Sequence, residues 1–160
     1  MKKPKTYLDT SVISFYFADD SPEKREITRK FFDQELQSGK YEVYISNLNI
    51  EELSNTTDLN LRKKFIEFVH DLSAERLPVT DEVEQIVEIF IQEEIIPTKY
   101  RDDAIHLALA LYNSMDYIVS WNFKHIVKPK TKRAVRAFAI KEGYKDIEII
   151  TPQEVTENEE

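Results

Sequence analysis

Carboxylates able to gather around a cation are the first chemistry this sequence offers. Asp9 follows the apolar run Thr6–Leu8, and Glu51 and Glu52 lie about a turn beyond Ser46. Asp102 and Asp103 stand at the head of the most apolar helical run, and Asn122 comes directly after "YIVSW". Each has an ordinary role when taken alone. Asp9 can cap a following helix, a glutamate on a helix is commonly solvated, Asp102 and Asp103 complement a helix dipole or pair with Lys99 and Arg101, and Asn122 suits a turn. Together they differ, because three like charges held within several ångströms repel unless a cation neutralises them. The chain has no cysteine, so such a site offers oxygen ligands and selects hard ions such as Mg²⁺ or Mn²⁺.

Adjacent residues of a helix point about 100° apart, so Asp102 and Asp103 cannot reach one ion by the same route. Asp103 shares its helical face with Leu107 and Ala110, apolar positions that would hold it rigidly, and is the better ligand of the two.

The elements that must position these groups follow from periodicity. Strands are expected at Thr6–Leu8, over "YEVYIS" ending at Ser46, at Tyr117–Ser120 and at Ile147–Ile150, with a brief extended piece at "ERLPV". After the first strand, the apolar segment through Phe17 turns helical. Further helices are expected from Pro22 to Gln37, with Gly39 as a stop, from the N-cap Ser46 to Leu53, over Leu59–Asp71, after the cap Thr80, from Asp103, and over Thr131–Glu142. Strands alternating with helices imply an α/β fold: one domain over residues 1–152, with a central parallel sheet of four to five strands and helices on both faces. Residues 153–160 read as an acidic C-terminal tail. In such a sheet ligands collect outside the carboxyl ends of the strands, which is where all four oxygen-bearing segments fall.

Composition narrows the classes. With 160 residues and 41% hydrophobic content, one folded core is expected. Two glycines and no GxGxxG or GxxxxGK[ST] pattern leave no basis for a phosphate loop or a dinucleotide fingerprint. No secretory signal or membrane-length apolar run is visible, so the expectation is a cytoplasmic protein with no membrane association. The net charge of −8 argues against a generally basic nucleic-acid coat. Within it, "KHIVKPKTKRAVR" (124–136) carries six cations and no acid, leaving −14 on the remainder.

Histidine and tryptophan add less. His106, inside the apolar helix, reads as a hydrogen-bonded structural residue, His125 in the basic strip as a phosphate contact, and His70 as an ordinary helix-end residue. Trp121 reads as core rather than as a base-stacking platform.

Four stretches, "YLDTSVI", "ISNLNIEEL", "DAIHLALA" and "DYIVSWNFKHI", resemble in order and spacing the motifs of the PIN-domain nucleases, above all bacterial toxins of the VapC type. The likeness runs from Tyr7 to about Thr151. It implies a metal cluster of Asp9, Glu52 and Asp103, a supporting hydroxyl from Thr10 or Ser11, and a fourth position at Asn122, where the family commonly has Asp. An amide there brings no negative charge and leaves the number of ions open. The resemblance further implies a Mg²⁺- or Mn²⁺-dependent endoribonuclease with Asp9, Glu52, Asp103 and Asn122 as its catalytic group. The partners it implies are an RNA substrate, a small antitoxin protein and a second copy in a homodimer. The alternative is a non-catalytic RNA-binding or scaffold module of the same fold. Aspartate phosphatases and phospho-receivers fit poorly, since Asp9 is followed by Thr10 and Ser11 and no acid pair precedes it.

Overall fold

A computed structural model describes residues 2–157. Five short strands, β1 (Lys5–Leu8), β2 (Glu42–Ser46), β3 (Glu75–Leu77), β4 (Tyr117–Val119) and β5 (Glu148–Ile150), form one sheet in the order β3-β2-β1-β4-β5. Every pairing is parallel, and Leu8 lies opposite Val119 in the β1–β4 register. The "ERLPV" piece is thus a true edge strand.

Alternation along the strands feeds two cores. Tyr7, Tyr44, Ile118 and Ile149 face one apolar cluster, while Leu8, Ile45, Val119 and Ile150, their immediate successors, face the other. Both faces of the sheet are therefore covered, as a parallel sheet requires. The first cluster is completed by α5 (Asp81–Gln92), α6 (Arg101–Tyr112) and α7 (Pro129–Glu142). The second takes in α1 (Thr10–Phe15), α3 (Asn47–Ser54) and α4 (Leu59–Asp71).

α6 is buried almost all round, from Ala104 through Leu111 apart from the half-buried Ile105. A helix apolar on every side must lie inside, and the small Ala104, Ala108 and Ala110 let α5 and the sheet approach it closely. Its start is tied to α5 by Arg101, which pairs with Glu84 and Glu88 at 2.6 Å each. This helix consequently delivers its first turn to the sheet edge in a fixed position.

Two expectations are corrected. The segment from Pro22 is an α-helix, α2, only to Lys30, and Phe31–Leu36 continue as a π-helical stretch. The wider turn places Phe31, Phe32, Glu35 and Leu36 together in the interior. At the other end, Pro152–Glu157 form a short helix, α8, with Val155 and Thr156 buried, rather than belonging to the acidic tail expected from residue 153. The packing of Val155 into the second core holds it down. The rest of that tail, 158–160, lies outside the described residues. Among the described residues no helix is long and apolar enough to cross a membrane.

Candidate active site

The strand order reverses between β1 and β4, and this switch point is where a doubly wound sheet opens a crevice at its carboxyl edge. Asp9 extends the ladder by one bond, its N–H donating to Val119 O at 3.1 Å. That bond sets Asp9 beside Ser120. The buried Asp9 carboxylate accepts the Ser120 hydroxyl at 2.7 Å and the Ser11 hydroxyl at 2.6 Å, both on Oδ2. Each serine is itself pinned by backbone: Ser11 Oγ accepts Trp121 N–H and Ser120 Oγ accepts Asn122 N–H, both at 2.9 Å. Asp9 therefore has little rotational freedom, with Oδ1 left on the side of His106.

Glu52 comes from α3. This helix starts at Ser46, whose N–H donates to Asn49 Oδ1 at 2.8 Å, while Asn49 Nδ2 bonds Leu8 O at 2.9 Å and Thr10 Oγ1 at 3.1 Å. Asn49 thus ties the head of α3 to the end of β1. One turn on, Glu52 Oε1 accepts the Thr10 hydroxyl at 2.6 Å and His106 Nε2–H at 2.7 Å. His106, on α6 and fully buried, has Nδ1 2.7 Å from the Tyr7 hydroxyl, which also lies 2.9 Å from Ser46 Oγ. Burial drives the Tyr7 pKa well above its ordinary value, so the phenol stays protonated.

The charges of the site are coupled. Burial works against a charged His106, but the hydrogen bond to Glu52 and the negative charges of Asp9, Glu52 and Asp103 outweigh it and raise its pKa. Burial would likewise raise Glu52, yet the bond and charge of His106, with the Thr10 hydroxyl, bring it below the usual carboxylate value. Asp103 has no such partner. Burial, and next the charge of Asp9, push its carboxyl from 3.8 to about 6, partly offset by a hydrogen bond from Asn122.

Asn122 is oriented by its own turn. Its Oδ1 accepts His125 N–H at 2.9 Å, so the amide NH₂ is what Asp103 meets. The amide oxygen, the one atom of this side chain able to ligate a metal, is already engaged. Asp102 and Glu51 are exposed, while Asp103 and Glu52 are half-buried beside Asp9. Arg101 is held by α5, and no lysine or arginine pairs with Asp9, Glu52 or Asp103 among the described residues.

Other expectations divide. His125 is not a phosphate contact: it is buried, its ring lies 4.0 Å from that of Tyr100, and burial together with Lys124 and Lys128 lowers its pKa, keeping it neutral. Trp121 is core, its Nε1–H donating to Thr28 Oγ1 at 2.9 Å. His70 is exposed beside Asp71. The basic strip is not uniformly free, since Arg136 pairs with Asp146. Sequence reasoning missed Tyr7, Asn49 and Ser120. The Ser46-x-x-Asn49 spacing, a capping-box pattern with Asn in place of Glu, was a usable signal for one of them.

Among the described residues no group of three or more histidines and carboxylates is drawn together as a ready metal site. His106 Nε2 lies against two of the carboxylates, 2.7 Å from Glu52 and 3.5 Å from Asp9. The donor chemistry nevertheless fits a hard divalent ion: carboxylates from three elements, oxygen atoms only, and one acid raised to about 6 by burial and by the neighbouring charge of Asp9, which a cation would offset.

A sequence profile described as "PIN domain" matches residues 6–126. No curated protein matches the chain by sequence. Among solved structures, the fold is similar to VapBC2 from Rickettsia felis bound to a DNA fragment from its promoter, with TM-score 0.57 and 10% identity over 92% of this chain and 98% of that one. It is also similar to a toxin–antitoxin complex from Klebsiella pneumoniae, with TM-score 0.56 and 16% identity over 78% and 93%. A third likeness is to VapBC-5 from Mycobacterium tuberculosis, with TM-score 0.52 and 17% identity over 92% and 98%.

Proposed function

Because the chain belongs to the PIN domain family, we propose that it is a Mg²⁺- or Mn²⁺-dependent endoribonuclease of the cytoplasm, the toxin of a toxin–antitoxin pair. One observation carries the nuclease reading: the charges of Asp9 and Glu52 act on Asp103 near the switch point, and among the described residues no lysine or arginine pairs with any of the three. The toxin reading draws on the three structural likenesses, two of them toxin–antitoxin proteins by description and the third VapBC2. A small antitoxin covering the site and a homodimer belong to the same proposal.

Asp9, Glu52 and Asp103 would hold the ion. When bound, it would supply a water of lowered pKa and screen the scissile phosphate. The protein's own groups do the positioning. Ser11 and Ser120 fix Asp9, and the Asn122 amide steadies Asp103. His106 and Thr10 hold Glu52 by one oxygen, which leaves Oε2 to accept a proton from an attacking water. The lysines of the 124–136 strip would meet the RNA backbone.

The direct test is cleavage of a mixed RNA pool by purified protein with Mg²⁺, with Mn²⁺ and with EDTA. Divalent-dependent cleavage that disappears in Asp9→Asn supports the reading, and activity insensitive to EDTA overturns it. The rival, a non-catalytic RNA-binding module, is favoured by one feature, the uncharged and internally bonded Asn122. It predicts RNA binding with no cleavage under any of these ions.

A further inference from the structure

Phe123 follows Asn122 and is half exposed, although its neighbour Trp121 is buried. Its ring lies 6.1 Å from that of Trp121, which lies 6.1 Å from Phe15. Lys24, reaching across from α2, places its ammonium 5.2 Å from the Phe15 ring, 5.5 Å from Trp121 and 5.3 Å from Phe123. Among the described residues no carboxylate pairs with this lysine. Tyr100 carries a second cluster of ring and cations. Its ring lies tilted by 34° against that of His125 at 4.0 Å, with Lys124 at 5.3 Å and Lys99 at 5.8 Å. Tyr100 precedes the first turn of α6 that bears Asp103, and Asn122 bonds Asp103. The exposed Phe123 ring with Lys24 over it thus follows Asn122 directly, and the half-buried Tyr100 with Lys99 and Lys124 near its ring precedes the turn that bears Asp103.

From this juxtaposition we propose that Phe123 with Lys24 forms a subsite that stacks an unpaired nucleobase beside the pocket, the lysine taking the adjoining phosphate, with Tyr100 and Lys124 as its counterpart before the turn that bears Asp103. The inference rests on the nuclease reading and deepens it. An exposed phenyl ring next to a carboxylate pocket offers a nucleobase what the pocket cannot, an apolar face of matching size. A protein of net charge −8 also needs local cations to accept a polyanion at that point. The structure puts Trp121 in the core as the floor against which Phe123 is set.

The test is binding without cleavage: fluorescence anisotropy in EDTA, using a labelled unstructured oligoribonucleotide and an abasic oligomer of equal length and charge. The wild type should prefer the base-bearing strand by about 5- to 100-fold, the effect of one or more stacked bases. Phe123→Ala should erase most of that preference and Phe123→Trp should retain it, while circular dichroism shows both folded. Lys24→Gln should weaken both oligomers alike and flatten the salt dependence. Equal affinity of wild type for the two oligomers, or a preference unchanged in Phe123→Ala, overturns the subsite. So does a Phe123→Ala variant that loses only a protein partner. A preserved base preference in a protein that never cleaves RNA supports the subsite while removing the nuclease reading, so the two can fail separately.

Discussion

His106 Nε2 stands 2.7 Å from Glu52 Oε1, joining residues 54 positions apart in the chain. One buried imidazole thereby does two things: it completes a hydrogen-bonded line from the Tyr7 phenol to the carboxylate, and the carboxylates around it favour its charged form. A divalent ion entering the pocket must share Glu52 with it or draw Glu52 away. Tyr7 and His106 in this line are fully buried and cannot turn to water instead, which makes each of them costly to remove.

Truncating this line should therefore be expensive. His106→Ala leaves a cavity and an uncompensated Glu52, a loss of about 2–4 kcal/mol, and Tyr7→Phe, which unpairs Nδ1, about 1–3 kcal/mol. Chemical denaturation measures both. Tyr7→Phe, which still folds, should lower kcat for RNA with KM little changed, since it disturbs the orientation of Glu52 and no substrate contact.

Asp103 should oppose stability and function. A carboxyl raised from 3.8 to about 6 contributes stability that is complete below its unfolded value and lost as pH rises through about 6. At pH 7 the native state therefore bears a cost, roughly 3 kcal/mol at face value and about 1–2 kcal/mol once its partial exposure is discounted. Asp103→Asn should raise the metal-free melting temperature at pH 7, have little effect at pH 4, and abolish Mg²⁺-dependent cleavage. Asp102→Asn, at an exposed position, should do neither. Loss of activity in Asp102→Asn alone would show that the wrong carboxylate has been assigned.

Adding Mg²⁺ should produce the reverse pattern. At an ion concentration ten times the dissociation constant, binding stabilises by about 1.4 kcal/mol, so wild type should melt higher with Mg²⁺ and Asp103→Asn should not. A thermal-shift titration with EDTA reversal reads this directly.

Asn122→Asp tests the fourth position. An aspartate keeps the acceptor that His125 N–H requires but replaces the donor to Asp103 with a repelling charge. The metal-free variant should lose about 1 kcal/mol at neutral pH and gain affinity for Mn²⁺, measured by isothermal titration calorimetry. Unchanged ion affinity would show that this side chain lies outside the coordination sphere.

Asp116, at the opposite end of β4, accepts Lys5 N–H at 2.8 Å and pairs with Lys145. Its burial opposes ionisation, but the Lys145 and Lys5 contacts prevail and lower its pKa. A depressed carboxyl contributes stability above its unfolded value, near 3.8, that is lost as pH falls through the lower native one. Asp116→Asn should cost under about 1 kcal/mol at pH 7, given its exposure, and show a flatter loss of stability below pH 4 in pH-dependent denaturation.

Much of this was legible in the chain as written. Period-two alternation with both registers apolar marks Tyr7-Leu8, Tyr44-Ile45 and Ile118-Val119 as strands covered on both faces, and local spacing puts Asp9, the Glu51–Glu52 pair and Asp103 at the ends and mouths of elements, with the family resemblance choosing Glu52. These are properties of near neighbours, and backbone geometry converts them to structure without reference to the rest of the molecule. The π-helical turn at Phe31–Leu36 and the docking of Val155 were not legible, because both depend on which apolar side chains a distant surface will accept.

What tertiary structure decided is finer and chemical. Ser120 reaches Asp9 across 111 residues, and Tyr7 reaches His106 across 99. Those meetings require the sheet register, the Asn49 tie and the burial of α6 to be settled together. A hydrogen bond is directional to within tenths of an ångström, so which oxygen of Asp9 is engaged, or which end of the Asn122 amide faces Asp103, has no expression in residue type or spacing. It exists only once the segments are packed.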